Sequence, residues 1–358
     1  MITGADLKSI VIDRPVINKP RIGVLLINVG TPAEPNTKAV RHYLAEFLTD
    51  KRVVSLPKFF RFLLVYGLIL PFRSKKSAHA YQTVWDPEKG SPLLSISESF
   101  RQKLQIELGE NFIVALGMRY GQPSIANAID VLLAEQVDHI LVAPLYPQYA
   151  SATTSSALEQ VYEVVSQKNI FPAITTLAPF YNHPTYVAAK AAIIKPYLEQ
   201  KWDCILFSYH GLPFAQIRQA EAVSYKACDN DLPCPAINQD NRHCYRAQCY
   251  RTTELIAASL GLNAEDYMVS FQSRVGMNRW IGPDTESALK VLLGKDKKNI
   301  LVVCPSFVAD CLETLEEINL RAKEDWIKLG GEFLSCIPCL NDSPVWVEGF
   351  AEMITDLT

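Results

Sequence analysis

Short apolar runs with strand character alternate with amphipathic stretches along almost the whole chain, and the alternation occurs twice. The first series is GVLLINV, FIVALGM, HILVAPL and AITTLAP; the second is ILFSYHG, YMVSFQS, NILVVCP and GEFLSCIP. Stretches such as SPLLSISESFRQKLQIEL, PSIANAIDVLLAEQ and DTESALKVLLG separate them. A strand that runs parallel to its neighbour needs a long crossover, and a helix provides one while covering the sheet. The rhythm predicts an α/β fold of two similar doubly wound, Rossmann-like domains, each with a four-stranded parallel sheet, and 358 residues is ample for two such units. The expected boundaries are 20–175 and 176–340, followed by a C-terminal helix at 343–358 packing back on the first domain. Ser343 is its expected N-cap and Pro344 its first helical residue. GVLLINVGTP (23–32) and CILFSYHGLP (204–213) both end in X-Gly-X-Pro, which suggests that one fold was duplicated.

In such sheets ligands gather beyond the carboxyl ends of the strands, with the cleft between the two domains as the expected site. The loops starting at Asn28, Pro144, His210 and Pro305 are therefore the ones to inspect. Neither a G-x-G-x-x-G fingerprint nor a G-x-x-x-x-G-K-[ST] loop is present, which argues against dinucleotides and nucleoside triphosphates. A net charge of −3 gives no footprint for nucleic acid. The N-terminal stretch lacks the apolar core and cleavage site of a secretory signal, so a cytoplasmic protein is expected. The run FFRFLLVYGLILPF at 59–72 is too short to cross a bilayer and contains Arg61 and Pro71. With Arg73, Lys75 and Lys76 after it, the segment 59–76 reads either as an apolar lip in peripheral contact with the inner face of a membrane or as a helix buried in the core.

Of the six histidines only His210 ends an apolar run, directly before a glycine. An imidazole there can exchange protons near neutrality or hold a metal ion through a neutral nitrogen. Asp310, Glu313 and Glu317 recur at helical spacing and would share one face of a helix, as a cation path or as an acidic first turn with Asp310 as N-cap and Glu313 closing a capping box. QSRVGMNRWIGPDT, PQYASATTSS and LGMRYGQP supply arginines and aromatic rings on loops, suited to carboxylates and to a flat ligand. Of the nine cysteines, Cys204, Cys304, Cys311, Cys336 and Cys339 lie in or beside apolar runs and behave as small hydrophobes. The CxxC spacing of Cys336 and Cys339 falls at a strand end, not at a helix start, which disfavours a redox dithiol.

LLINVGTP, YPQYASATTSS, FSYHGLP, QSRVGMNRWIGP and ADCLETLEEI, in this order and over nearly the whole chain, resemble the signature segments of ferrochelatases. The resemblance implies insertion of ferrous iron into protoporphyrin IX to form protohaem, the last step of haem biosynthesis, between two Rossmann-like lobes. It implies that His210 is the active-site histidine and Glu313 its partner across the porphyrin. Glu317 would extend the acidic row, so that His210, Glu313 and Glu317 meet the substrate iron. Val29, Arg119, Tyr120, Tyr146 and Trp280 would line the macrocycle pocket. Alternatives are a chelatase for another tetrapyrrole such as coproporphyrin III and a non-catalytic iron-sulfur or haem-binding protein. Monomer and homodimer both stay open.

Cys311 stands where some relatives carry a second histidine, which weakens iron delivery at that position. The terminal cysteine cluster of animal ferrochelatases has no counterpart, and Ala152 occupies the place of its remaining ligand. Instead, Cys228, Cys234, Cys244 and Cys249 crowd into a polar insertion at 228–249. Their spacing matches no standard zinc pattern. Some bacterial ferrochelatases carry an internal 2Fe-2S centre in this region, and such a cluster is expected here ahead of zinc or free thiols.

Overall fold

The computed structural model describes residues 21–220, 234, 236–274 and 279–358. Cys228 therefore lies outside the described residues. Strands β1 (Ile22–Gly30), β2 (Phe112–Tyr120), β3 (His139–Pro144) and β4 (Ala173–Thr176) form one four-stranded sheet in the order β2-β1-β3-β4. Strands β5 (Cys204–His210), β6 (Tyr267–Gln272), β7 (Asn299–Val303) and β8 (Phe333–Cys336) form the other in the order β6-β5-β7-β8. Every pairing is parallel. The second sheet thus repeats the first, and the two strands ending in X-Gly-X-Pro occupy the same central place in each.

The helices are α1 (Thr37–Thr49), α2 (Lys58–Phe62), α3 (Leu70–Val84), α4 (Pro92–Leu108), α5 (Ile125–Ala134), α6 (Ser156–Val165), α7 (Pro184–Ile194), α8 (Phe214–Ala220), α9 (Tyr245–Leu260), α10 (Thr285–Gly294), α11 (Lys323–Leu329) and α12 (Pro344–Thr355). Helices cover both faces of each sheet, so the strands have no polar side. In β1, Val24 and Leu26 point into one apolar cluster and Leu25 and Ile27 into another. In β5, Ile205, Phe207 and Tyr209 point one way and Cys204 and Leu206 the other. The inner faces of both sheets contribute to a single apolar core. Helix α12 packs on α4 and α7, and α7 packs on α9, which links the sheets through one helical layer. Trp346 of α12 is fully buried there, with its ring 5.1–6.0 Å from those of Phe100, Phe180, Tyr186 and Phe350. Ser343 is the N-cap residue of α12 and Pro344 opens it, but the Ser343 hydroxyl is buried without a hydrogen-bond partner, so the cap does not make its usual bond.

Among the described residues three helical stretches are π-helical: Leu63–Ile69, Ser151–Ser155 and Glu313–Ala322. Such segments are rare and cluster at functional sites. The first joins α2 to α3. Along this run Phe59 is 67% exposed and Phe72 74% exposed, with Phe60, Phe62, Leu63 and Leu68 also in solvent, which overturns the reading of 59–76 as a buried core helix. One face of the run is buried through Val65, Leu70 and Ser74, and at the far end of α3 Ala78 and Tyr81 pack with Val40 and Leu312. Among the described residues no helix is long and apolar enough to cross a membrane.

Candidate active site

His210 is the last residue of β5. Its pairing with β6 continues to the end, His210 opposite Gln272, whereas the pairing with β7 stops at Phe207 opposite Val303. The side chain is half-buried. Its Nδ1 lies 2.6 Å from the Gly211 carbonyl oxygen. A carbonyl only accepts, so Nδ1 carries the proton and Nε2 keeps a lone pair for a proton or a metal ion. The glycine that follows has a steric reason. A Cβ at Gly211 would meet the Gln272 carbonyl oxygen at 2.8 Å and the Trp280 ring at 3.3 Å. Trp280 is brought against this turn by hydrogen bonds from Ile281 N–H to the Leu212 carbonyl (3.0 Å) and from Phe214 N–H to the Arg279 carbonyl (2.9 Å).

The acidic row is not one α-helical face. Glu313 and Glu317 lie on the π-helix, while Asp310 is buried before it. The Asp310 carboxylate accepts from the Thr314 hydroxyl at 2.9 Å, the Asn341 amide at 2.8 Å and Cys339 N–H at 3.3 Å, so it fastens the loop after β8. Those bonds occupy it, which removes it from a cation path. The capping box is also absent. Thr314, not Glu313, closes the turn, accepting from Cys311 N–H at 3.1 Å. Glu317 accepts from Ser273 N–H at 2.8 Å and from the Ser273 hydroxyl at 2.6 Å. The neighbouring Gln272 donates its side-chain amide to the Glu313 carbonyl at 3.1 Å. Gln272 and Ser273 thus strap the acidic helix to the sheet end that presents His210.

Across from Glu313 stand two tyrosines of the front lobe, the one built on β1–β4. Burial first, and then the Glu313 carboxylate, pushes the Tyr81 hydroxyl far up. Tyr43 is raised by burial, Tyr81 and Glu313 in that order, with Tyr120 and Tyr146 adding to it. Tyr43 is thus within electrostatic reach of Glu313, Tyr120 and Tyr146 alike. Cys311 is buried and packs with Leu93 and Ala309 beside Val29. Burial, followed by the charge of Glu313, pushes its thiol up and keeps it protonated. It is a core thiol.

Arg119 and Tyr120 do not reach outward freely. Arg119 donates to Asp50 at 2.8 Å and to the Ser156 hydroxyl at 2.7 Å, and the Tyr120 hydroxyl donates to the same Asp50 oxygen at 2.8 Å. Burial opposes the charge of Asp50. Hydrogen bonds from Ser156, from the Arg52 N–H and from Tyr120, with the Arg119 charge, outweigh that and hold it below the usual carboxylate range. The Tyr146 ring is half-buried, but its hydroxyl is enclosed without a partner, and burial pushes it far up. Arg119 and Tyr120 also border a concavity of about 400 Å³ with Glu46, Gln122 and Gln160, and neither His210 nor Glu313 lines it. Nothing in the sequence marks Asp50, which in FLTDKR reads as an ordinary helix end.

Of the insertion thiols, Cys244 is the N-cap residue of α9 and Cys249 lies in its second turn, both buried, while Cys234 is half-buried. Burial pushes the Cys249 thiol up, and Cys234 is close enough to add to the effect. Among the described residues, no three histidine, cysteine or acidic side chains converge as a metal site. The described thiols alone do not fit a cluster.

Two repeated parallel sheets joined through one core, with a histidine and a carboxylate helix strapped together at a strand end, define a two-lobed α/β chelatase architecture. The fold is shared with SirB from Bacillus subtilis with Fe3+ (TM-score 0.50, 11% identity, 94% of this chain and 95% of that one). It is shared too with the sirohydrochlorin chelatase SirB from Bacillus subtilis subspecies spizizenii in complex with cobalt (TM-score 0.51, 10% identity, 94% of each). The ferrochelatase family model matches residues 21–357. A ferrochelatase of Legionella pneumophila is 48% identical over 338 residues (94% of this chain, 99% of that one), and one of Coxiella burnetii is 47% identical over 339 residues (94% of each). The chain belongs to the ferrochelatase family. It is a metal-inserting lyase of the terminal step of haem biosynthesis, with a porphyrin and ferrous iron as substrates.

Proposed function

We propose that the porphyrin is protoporphyrin IX and that His210 and Glu313 work on it from opposite sides, with Val29, Arg119, Tyr120, Tyr146 and Trp280 as its walls. The observation that carries this reading is the strap of Gln272 and Ser273, which holds the acidic helix to the strand end carrying His210. Metallation must remove two pyrrole protons while a dication sheds its water. With Nδ1–H engaged by Gly211, Nε2 of His210 accepts the two protons one after the other on one side, passing the first to solvent before taking the second. Glu313 supplies negative charge to draw in the dication on the other. Glu317, with both oxygens engaged by Ser273, acts as a strut and a source of negative charge. Arg119, neutralised by Asp50, is a fixed part of the wall and does not serve as a clamp for substrate carboxylates. A rigid wall that binds the buckled macrocycle better than the flat one exposes the nitrogen lone pairs and favours metal entry.

A finer reading concerns the insertion. We infer a 2Fe-2S centre held by Cys228, Cys234, Cys244 and Cys249, supported by four thiols within a polar stretch and by the proximity of Cys234 and Cys249. No step of metallation runs through it. One preparation tests both readings. Protein purified without oxygen should metallate protoporphyrin IX faster than coproporphyrin III; the reverse order would change the substrate. The same sample should be coloured and contain acid-labile sulfide, and a colourless, sulfide-free protein would remove the cluster.

The lip supports peripheral contact with the cytoplasmic face of a membrane. Its exposed aromatic and aliphatic side chains are accompanied by Lys58, Arg73, Lys75 and Lys76 in solvent, and no acidic residue occurs between Asp50 and Asp86. Apolar insertion plus cations suits an anionic bilayer. The protein is expected to co-sediment with phosphatidylglycerol vesicles, and a Phe59→Ser, Phe72→Ser double variant to lose most of that binding. If the wild type ignores vesicles, and the same variant instead turns a dimer into a monomer, the lip is a self-association surface.

A further inference from the structure

The ladder on the β7 side of β5 ends three residues before His210, so on that side sheet hydrogen bonds do not fix the His210 backbone. Two side chains take over. His210 N–H donates to the Ser306 hydroxyl at 3.3 Å, the Ser306 and Tyr245 hydroxyls are 2.9 Å apart, and the Tyr245 hydroxyl donates to the His210 carbonyl at 2.8 Å. Because Tyr245 gives its proton to that carbonyl, Ser306 must donate to Tyr245, and the three bonds close into a ring around both backbone groups of one residue.

Both partners are themselves held. Tyr245 is buried in the first turn of α9. Ser306 lies in the loop after β7, which α7 grips on either side. The Tyr186 hydroxyl donates to the Pro305 carbonyl at 2.6 Å, and the buried Lys190 ammonium donates to the Phe307 carbonyl at 3.0 Å. Phe307 in turn lies 6.2 Å, ring to ring, from the His210 imidazole.

We propose that Tyr245, acting with Ser306, is the positioning residue that fixes His210 for metallation, taking the place of the missing ladder contacts. The inference rests on His210 being the proton acceptor. Tyr245 is buried and acts on the His210 backbone, so its loss should slow the chemical step without weakening porphyrin binding.

Steady-state metallation kinetics of Tyr245→Phe, with folding checked by circular dichroism, test the proposal. A buried carbonyl losing its hydrogen bond corresponds to about a tenfold fall in kcat, with KM for porphyrin unchanged within about twofold. Ser306→Ala should do the same. The double variant should be no slower than the worse single one, since each breaks the same ring, and Ser306→Ala carries the test if Tyr245→Phe does not fold. An unchanged kcat, or a rise in KM alone, overturns the proposal. His210→Ala separates it from the reading beneath. If His210→Ala is inactive and Tyr245→Phe is as fast as wild type, only the positioning role falls; if His210→Ala is fully active, the assignment of His210 falls first.

Discussion

Replacing His210 by alanine is expected to slow iron insertion by about 10²- to 10⁴-fold, the range a positioned acid or base contributes. The loss should appear in kcat. The imidazole is half-buried and, among the described residues, its side-chain hydrogen bond is to the carbonyl of the next residue, so removing it takes no bond from another strand or helix described. Folding should therefore survive, and porphyrin binding, followed by quenching of tryptophan fluorescence, should stay near the wild-type level. A His210→Ala protein that metallates protoporphyrin at the wild-type rate under anaerobic conditions would place the proton acceptor elsewhere.

The second large effect is one of stability. Asp50 and Arg119 form an ion pair whose side chains are 6% and 17% exposed, respectively. Removing one member of a buried pair leaves the other uncompensated and costs about 3–5 kcal/mol. Asp50→Ala should therefore lower the melting temperature markedly, and should also loosen Tyr120 and Ser156, which donate to the same carboxylate. The damage would extend to the lobe contact, because Gln216 of α8 donates to the Val53 carbonyl at 3.1 Å just beyond this network. The pH dependence has a definite sign. The folded carboxyl is held below the value of about 3.9 that an aspartate takes in an unfolded chain. Its stabilisation is complete above that unfolded value and is lost as the pH falls through the lower folded one. The gap in melting temperature between wild type and Asp50→Ala should thus be constant from neutral pH down to about pH 5 and close below about pH 4. A gap that persists undiminished down to pH 2 would show that the charge of Asp50 is not what stabilises the wall.

The repeated sheets were legible because a strand buried on both faces must be apolar throughout, and each such run is followed by an amphipathic crossover. The place of His210 at the end of a strand was legible for a related reason: the apolar run stops at it, directly before a glycine. The row of Asp310, Glu313 and Glu317 was read correctly as acidic and wrongly as a single α-helical face. Helical spacing assumes 3.6 residues per turn, which the π-helix at 313–322 does not keep. Nor could spacing reveal that Asn341 and Cys339, brought in from another loop, would occupy the Asp310 carboxylate. Asp50, Tyr43 and Tyr245 escaped for the same reason. Each acts through partners distant in sequence, and a tyrosine in a helix looks alike whether its hydroxyl meets water or the backbone of a strand end. The lip was ambiguous because an apolar helix has the same letters in a core and on a surface; only the packing around it distinguishes the two.

Because one apolar interior runs unbroken from the front sheet through α4, α12, α7 and α9 to the rear sheet, the lobes cannot swing apart as independent rigid bodies without exposing Trp346 and the rings around it. A flat guest must then be admitted by the rim, where the run from α2 to α3 carries the exposed Phe59 and Phe72 at its outer end and rests on Leu312, beside Glu313, at its inner end. Whatever grips that outer end holds a lever whose short arm bears on Glu313.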